Sequence, residues 1–152
     1  MKLKLYTKEE ILNVVEFNFT GDNENFVKCD QESKYLPIFI FNVFSECFEK
    51  SEPLFEIFGQ TKYNSRKIVP LKNQLLKKLR EIEEIHSVDV FRVYISQSFM
   101  GEDLLSNFVN EDPNWEENWK EHHESVIKVG EELVDMVDYC VVNDLILWVI
   151  GL

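Results

Sequence analysis

The chain has 152 residues, of which 45% are apolar and 29% are charged, and its formal net charge is −12. This length and composition favour one folded domain spanning residues 1–152 and argue against intrinsic disorder. A protein this acidic repels nucleic acid and anionic lipid. We therefore expect neither as a partner and favour a basic protein partner instead.

The sequence contains no segment that is apolar and long enough to cross a membrane. The most apolar stretch, residues 145–152, is far shorter than the ~20 residues that a spanning helix needs. The lysines in residues 1–10 are not followed by an apolar run, so no signal peptide is indicated. Three widely spaced cysteines (Cys29, Cys47 and Cys140), without a Cys-x-x-Cys pair, predict three buried thiols in a reducing compartment. We therefore expect a cytoplasmic protein, and the lack of alanine suggests an AT-rich bacterial or phage genome.

Two helices are predicted in the first third of the chain. Thr7 and Glu10 have capping-box spacing, which predicts a helix over residues 8–19 that buries Ile11, Leu12, Val15 and Phe19. Pro37 suits a first helical turn, and residues 38–48 are apolar all round the helical wheel. This second pattern is typical of a buried central helix.

The middle of the chain is predicted to be a loop and a helix, followed by an ambiguous segment. Residues 60–69 have the composition of a polar loop, and Pro70 opens an amphipathic helix that ends near Ser87. Residues 88–100 have the composition of a strand, but their apolar residues also have helical spacing. We favour a helix because few other segments of the chain could pair with this one as strands.

A long helix is predicted from Pro113 to about Asp138. Apolar or aromatic residues and one histidine recur there at steps of four and three, which predicts a seam facing the core. The fold class expected from these patterns is all-α or mostly α, a single-domain irregular helical bundle. This bundle would include at most a minor β element, at Val88–Ser96 and Tyr139–Ile150, and an α+β fold is the alternative.

The negative charge is concentrated in this long helix and in the residues just before it. Residues 102–138 hold 12 acidic residues and two lysines. At about 100° per residue, one set of charged residues falls opposite the apolar seam. We call this set the acidic stripe: Glu117, Glu121, Glu124, Lys128, Glu131, Asp135 and Asp138. Like charges at i,i+4 destabilise a helix slightly, so the stripe is either a solvated outer face or a docking surface for a basic protein.

No motif for catalysis, metal binding or a cofactor stands out. His122 and His123 point about 100° apart on a helix, so a partly buried structural histidine is favoured over a metal ligand. Glu83 and His86 form a single Glu-x-x-His, whereas carboxylate-bridged di-iron sites need two. Walker, dinucleotide-binding and nucleophile-elbow patterns are absent from the sequence. We therefore predict no catalytic residues, no cofactor and no metal.

The favoured hypothesis is a small, non-enzymatic inhibitor of the immunity-protein type that neutralises a basic, nuclease-like toxin domain. Its predicted partner-binding residues are Glu117, Glu121, Glu124, Glu131, Asp135 and Asp138. One alternative is a phage or mobile-element protein that mimics nucleic acid and blocks a defence enzyme. Another is an enzyme whose site is assembled from Glu83, His86, Glu121 and His122. A helical adaptor or a subunit of an oligomer is a further alternative. The sequence does not indicate the oligomeric state.

Overall fold

A computed structural model describes residues 2–7 and 13–151 of the chain. The described residues form an α+β fold in which helices accompany an antiparallel sheet, so the alternative fold class is the better description. The elements in chain order are β1 (Val14–Asn18), β2 (Lys34–Pro37), α1 (Ile38–Ser51), β3 (Gln60–Tyr63), α2 (Ile68–Glu83), α3 (Val88–Ser96), α4 (Gly101–Glu111), α5 (Trp119–Val142) and β4 (Leu147–Gly151).

The sheet has the strand order β2-β1-β4-β3, and every neighbouring pair is antiparallel. Strands from both ends of the chain meet at its centre, where Phe17 of β1 faces Val149 of β4. Because β1 and β4 are far apart in sequence, their pairing closes the fold around the helices between them. The outer strands β2 and β3 flank this central pair.

The prediction of a helix over residues 8–19 is wrong for the part that the structure describes. Residues 14–18 form strand β1, and residues 8–12, with the predicted core positions Ile11 and Leu12, lie outside the described residues. Val15, Phe17 and Phe19 are all buried in the main core, and their spacing of two is the period of a strand. The helical interpretation had counted Val15 and Phe19 but not Phe17.

Strand β1 is buried on both faces, which hides the alternation that usually reveals a strand. On the face away from the main core, Val14 contacts Tyr6 and Tyr35. Glu16 on the same face is fully buried, and its Oε1 accepts hydrogen bonds from the Cys29 backbone N–H and the Ser33 hydroxyl, both at 2.7 Å. The segment before β1 and the loop after it therefore cover this face of the sheet.

The predicted central helix is confirmed as α1, which begins directly after Pro37. The predicted amphipathic helix is confirmed as α2, although it begins at Ile68 and Pro70 lies within its first turn. The prediction of a loop over residues 60–69 is wrong at both ends, because residues 60–63 form β3 and α2 begins at 68. Pairing with β4 makes β3 a strand despite its polar composition.

The ambiguous segment is a helix, so the minor β element at Val88–Ser96 is not present. Ser87 caps this helix, α3, by accepting a hydrogen bond from the Val90 backbone N–H at 3.2 Å. Phe91 and Ile95 form its buried face. The following helix, α4, was not predicted.

The long helix is shorter at its start than predicted. Residues 113–118 are turns, and α5 runs from Trp119 to Val142. The second expected β element, Tyr139–Ile150, is half right, because its first residues end α5 and its last residues belong to β4. Asp144, with a φ of 53°, makes the left-handed turn that separates helix from strand.

The helices pack mainly through α1, α2 and α5. α2 and α5 are antiparallel neighbours, since Lys72 contacts Asp138 while Ile82 contacts His123. None of the helices within residues 2–7 and 13–151 combines the length and apolar character that a membrane crossing requires.

Candidate functional site: the acidic face of α5

The acidic stripe lies on the side of α5 that faces away from the core. The opposite side buries His123, Val126, Val129, Gly130, Leu133, Met136, Val137 and Cys140. Glu121, Glu124, Lys128, Glu131 and Asp135 are exposed, and Asp138 is partly exposed. From Glu121 to Asp138 the stripe extends about 26 Å at 1.5 Å per residue. Glu117 is exposed as well, but it lies in the turn before α5 and does not continue the helical row.

Among the residues that the structure describes, the carboxylates of the stripe largely lack cationic partners. Asp138 is the exception, since its Oδ1 lies 2.5 Å from the Lys72 Nζ on α2. Within residues 2–7 and 13–151, no ion pair involves Glu117, Glu121, Glu124, Glu131 or Asp135. Lys128, the one cation in the stripe, forms no ion pair in this part of the chain either. The stripe therefore keeps most of its negative charge.

Carboxylates next to the stripe have structural roles instead. Glu132 accepts a hydrogen bond from the Leu5 backbone N–H at 2.9 Å and so holds the first segment of the chain against α5. Glu116 lies 3.0 Å from the Arg92 guanidinium and links the turn before α5 to α3. These two contacts distinguish residues that stabilise the fold from the exposed carboxylates of the stripe.

Two grooves with apolar walls flank the stripe at Asp135. The first, the α2–α5 groove, has a volume of about 360 Å³ and is lined by Leu76, Leu79, Arg80, Glu83, Glu131, Val134 and Asp135. The second, the Tyr139 groove, has a volume of about 420 Å³; its described lining is Leu5, Thr7, Phe19, Lys34, Glu132, Asp135, Met136 and Tyr139. Asp135 thus stands between two surfaces that offer apolar contact.

Each groove has an apolar side chain within reach of solvent. Leu76 is 38% exposed and Tyr139 is 53% exposed. In the α2–α5 groove, the carboxylates of Glu83, Glu131 and Asp135 outnumber the single cation Arg80. A partner that fits this groove would therefore combine apolar side chains with basic ones.

The two adjacent histidines have different structural roles. His123 is buried, and its Nε2 lies 2.6 Å from the Ile82 carbonyl oxygen of α2. His122 is partly buried between the rings of Phe108 and Trp115, and its Nε2 is 3.3 Å from Asp112. His123 therefore lies on the buried side of α5. His122, which the sequence pattern had placed on that side, is only partly buried.

Asp112 receives several hydrogen bonds in the turn before α5. The Asn118 side-chain amide donates to its Oδ2 at 2.9 Å, and the Asn114 backbone N–H donates to its Oδ1 at 3.0 Å. These bonds and the contact with His122 lower the pKa of Asp112, with Asn118 the largest cause. The aspartate thereby organises the turn that positions the start of α5.

The four residues considered for an enzyme site lie in different surroundings. Glu83 lines the α2–α5 groove, whereas His122 packs against aromatic rings near Asp112. His86 and Glu121 are exposed. No group of three His, Cys, Asp or Glu side chains suited to a metal ion occurs in the part of the chain that the structure describes.

Comparisons with protein-family models, with curated proteins and with solved structures found no match to this chain. The candidate site therefore depends on the geometry and charge described above. Sequence reasoning identified the carboxylates of the stripe but missed both grooves. The walls of the grooves come from elements distant in sequence, and only the packing of α2 and of the first segment against α5 brings them together.

Proposed function

We propose that this protein is a small acidic, non-enzymatic binding protein of the immunity type. It neutralises a basic, nuclease-like toxin domain by covering the cationic surface of that domain with the acidic stripe. The observation that carries the proposal is that the four exposed stripe carboxylates from Glu121 to Asp135 lie on one side of α5 and form no ion pair within residues 2–7 and 13–151. A surface made for solubility alone would intersperse lysines, and the stripe contains one.

The helix that bears the stripe suits rapid capture of a cationic partner. Its buried side is anchored against α2, so the carboxylates are held on a rigid element before any partner arrives. Complementary charge accelerates association and selects the orientation of the complex. The grooves beside Asp135 would then receive apolar side chains of the partner, which usually supply most of the binding free energy.

The test compares three versions of the full chain as bait. The first is the wild type, and the second is the stripe variant E117K/E121K/E124K/D135K. The third is a matched control, E24K/E32K/E49K/E56K, which replaces four exposed carboxylates outside α5. Each replacement changes the charge by two units, so both variants have a net charge of −4 instead of −12. Circular dichroism establishes that all three are folded.

Binding is measured to a candidate toxin domain encoded beside this gene, with both purified proteins at 50 mM and 300 mM salt. We expect the stripe variant to bind at least about 100-fold more weakly than the wild type and the control to bind within about threefold. We also expect the association rate of the wild type to fall at the higher salt concentration. Equal losses in both variants, or unchanged binding by the stripe variant, would contradict the proposal.

The same three baits distinguish the immunity-type function from nucleic-acid mimicry. An immunity-type protein binds its own target and leaves unrelated DNA-binding proteins alone. A mimic competes with duplex DNA for several unrelated DNA-binding proteins. If the wild type competes with DNA for several unrelated proteins and the stripe variant does not, nucleic-acid mimicry becomes the better explanation.

A further inference from the structure

A polar cleft lies where α1, α2 and α3 meet, with a volume of about 260 Å³. Asn42, Ser45 and Glu46 line it from α1, Lys78 from α2, and Tyr94 and Gln97 from α3. Three separately packed helices fix the lining, as is typical of a pre-formed binding site.

Buried polar atoms of two side chains border this cleft. Asn42 is 4% exposed, and in the described part of the chain neither its amide nitrogen nor its amide oxygen has a hydrogen-bond partner. Tyr94 is partly buried; its hydroxyl oxygen is buried and interacts with the Lys78 ammonium. Buried polar groups are almost always paired, because an unpaired one has lost its hydrogen bonds to water and gained none in return. The unpaired Asn42 amide beside this cleft therefore indicates that the cleft serves something other than stability.

The cleft also contains a largely buried cation. The Lys78 side chain is 15% exposed, and its Nζ lies 4.9 Å from the centre of the Tyr94 ring. Its ion-pair contact is Glu46, at 3.7 Å, but the other carboxylate oxygen of Glu46 is closer to Lys50, at 2.8 Å. Burial by itself lowers the pKa of Lys78, but Tyr94 and Glu46 outweigh burial and raise it, so the ammonium stays charged at neutral pH.

We propose that this cleft binds a small carboxylate-bearing molecule that has a second hydrogen-bonding group beside the carboxylate. The Lys78 ammonium and the Tyr94 hydroxyl are donors for the carboxylate. The Asn42 amide supplies a donor and an acceptor for the neighbouring group. An α-hydroxy acid and an α-amino acid share this chemistry, and Glu46 at the edge of the cleft favours the ammonium of the amino acid. This inference does not depend on the proposed function, since none of these residues belongs to the acidic stripe.

The experiment measures binding of four probes to the isotope-labelled full chain by NMR, together with their effect on the melting temperature. The probes are L-lactate, L-alanine, acetate and inorganic phosphate, each at 10 mM and constant ionic strength. We expect lactate or alanine to shift the side-chain amide signals of Asn42 and to raise the melting temperature by more than 1 °C. A preference for lactate identifies a hydroxy acid as the ligand class, and a preference for alanine identifies an amino acid. Equal effects from all four probes, or no effect from any, would overturn the inference.

Variants provide a readout that does not require the correct ligand. Asn42→Leu replaces the unpaired amide by an apolar group of similar size, and Tyr94→Phe removes the buried hydroxyl. If the polar atoms are kept for binding, each variant has an unchanged or higher melting temperature without a probe and loses the probe-induced rise in melting temperature. Lys77→Gln, on the neighbouring exposed lysine, is the matched control and retains that rise. A clear fall in melting temperature for both Asn42→Leu and Tyr94→Phe would show that these groups are structural and would refute the site.

Discussion

The Nζ of Lys72 on α2 and the Oδ1 of Asp138 on α5 lie 2.5 Å apart and form an ion pair at one end of the acidic stripe. Beyond this pair, towards the start of α5, the α2–α5 groove is lined by Glu131 and Asp135, which have no such partner in the described part of the chain. The pair therefore marks the end of the part of the stripe that is exposed to a partner.

The contribution of the Lys72–Asp138 pair to stability is expected to be small. Both side chains keep a large part of their surface in solvent, 31% for Lys72 and 48% for Asp138, so water screens their attraction. A double-mutant cycle with K72M and D138N, measured by urea unfolding, should give a coupling free energy of about 0.2–1 kcal/mol. A coupling well above about 2 kcal/mol would show that the pair is a main support of the α2–α5 contact.

Gly130 allows α5 to approach its neighbours closely. A Cβ at this position would lie 2.4 Å from Leu79 Cδ2 and 2.9 Å from Phe44 Cε1. Gly130→Ala gains up to about 1 kcal/mol of helix propensity, but overpacking costs about 1–3 kcal/mol. We expect a net loss in the free energy of unfolding, larger for Gly130→Val. Because Leu79→Ala relieves the clash, the double variant L79A/G130A should lose less than the sum of the two single variants, and strict additivity would count against this explanation.

His123 connects α5 to the end of α2 through its ring. Since the Ile82 carbonyl can only accept a hydrogen bond, the Nε2 of His123 must carry the proton at their separation of 2.6 Å. Replacing His123 with Phe keeps the aromatic packing but leaves a buried carbonyl unpaired, at a cost of about 1–3 kcal/mol in chemical denaturation. His122→Phe is the control, because its partner Asp112 is more accessible to water, and we expect a smaller loss. A larger loss at His122 would reverse the assigned roles of the two rings.

The three cysteines should differ sharply in reactivity. Burial raises the pKa of both the Cys47 and the Cys140 thiol to about 12, so almost no thiolate forms at neutral pH. Cys29 is exposed. Iodoacetamide at pH 8 should therefore alkylate one thiol per folded chain, detected by mass spectrometry and abolished in C29S. In 8 M urea all three should react, and rapid modification of Cys140 in the folded protein would contradict the buried packing of α5.

The periodicity of apolar residues determined α1, α2 and α5 in outline, because these helices bury one side or all of their surface over several turns. It also determined that carboxylates such as Glu124 and Glu131 lie opposite the buried side of α5. Both features repeat within one continuous segment, so neighbours in sequence contain the information needed. The position of Glu117 before the helix was missed, since nothing in the local pattern marks the start of α5 at Trp119.

Only the tertiary structure decided the sheet, the grooves and the cleft. β1 and β4 are strands because each supplies the hydrogen-bonding partner of the other across most of the chain, and this long-range pairing overrides the helical spacing of Val15 and Phe19. Asp135 flanks two grooves, and Asn42 and Tyr94 share a cleft, because segments distant in sequence pack together there. Such contacts depend on the burial of the whole core, and a local pattern of residues does not encode them.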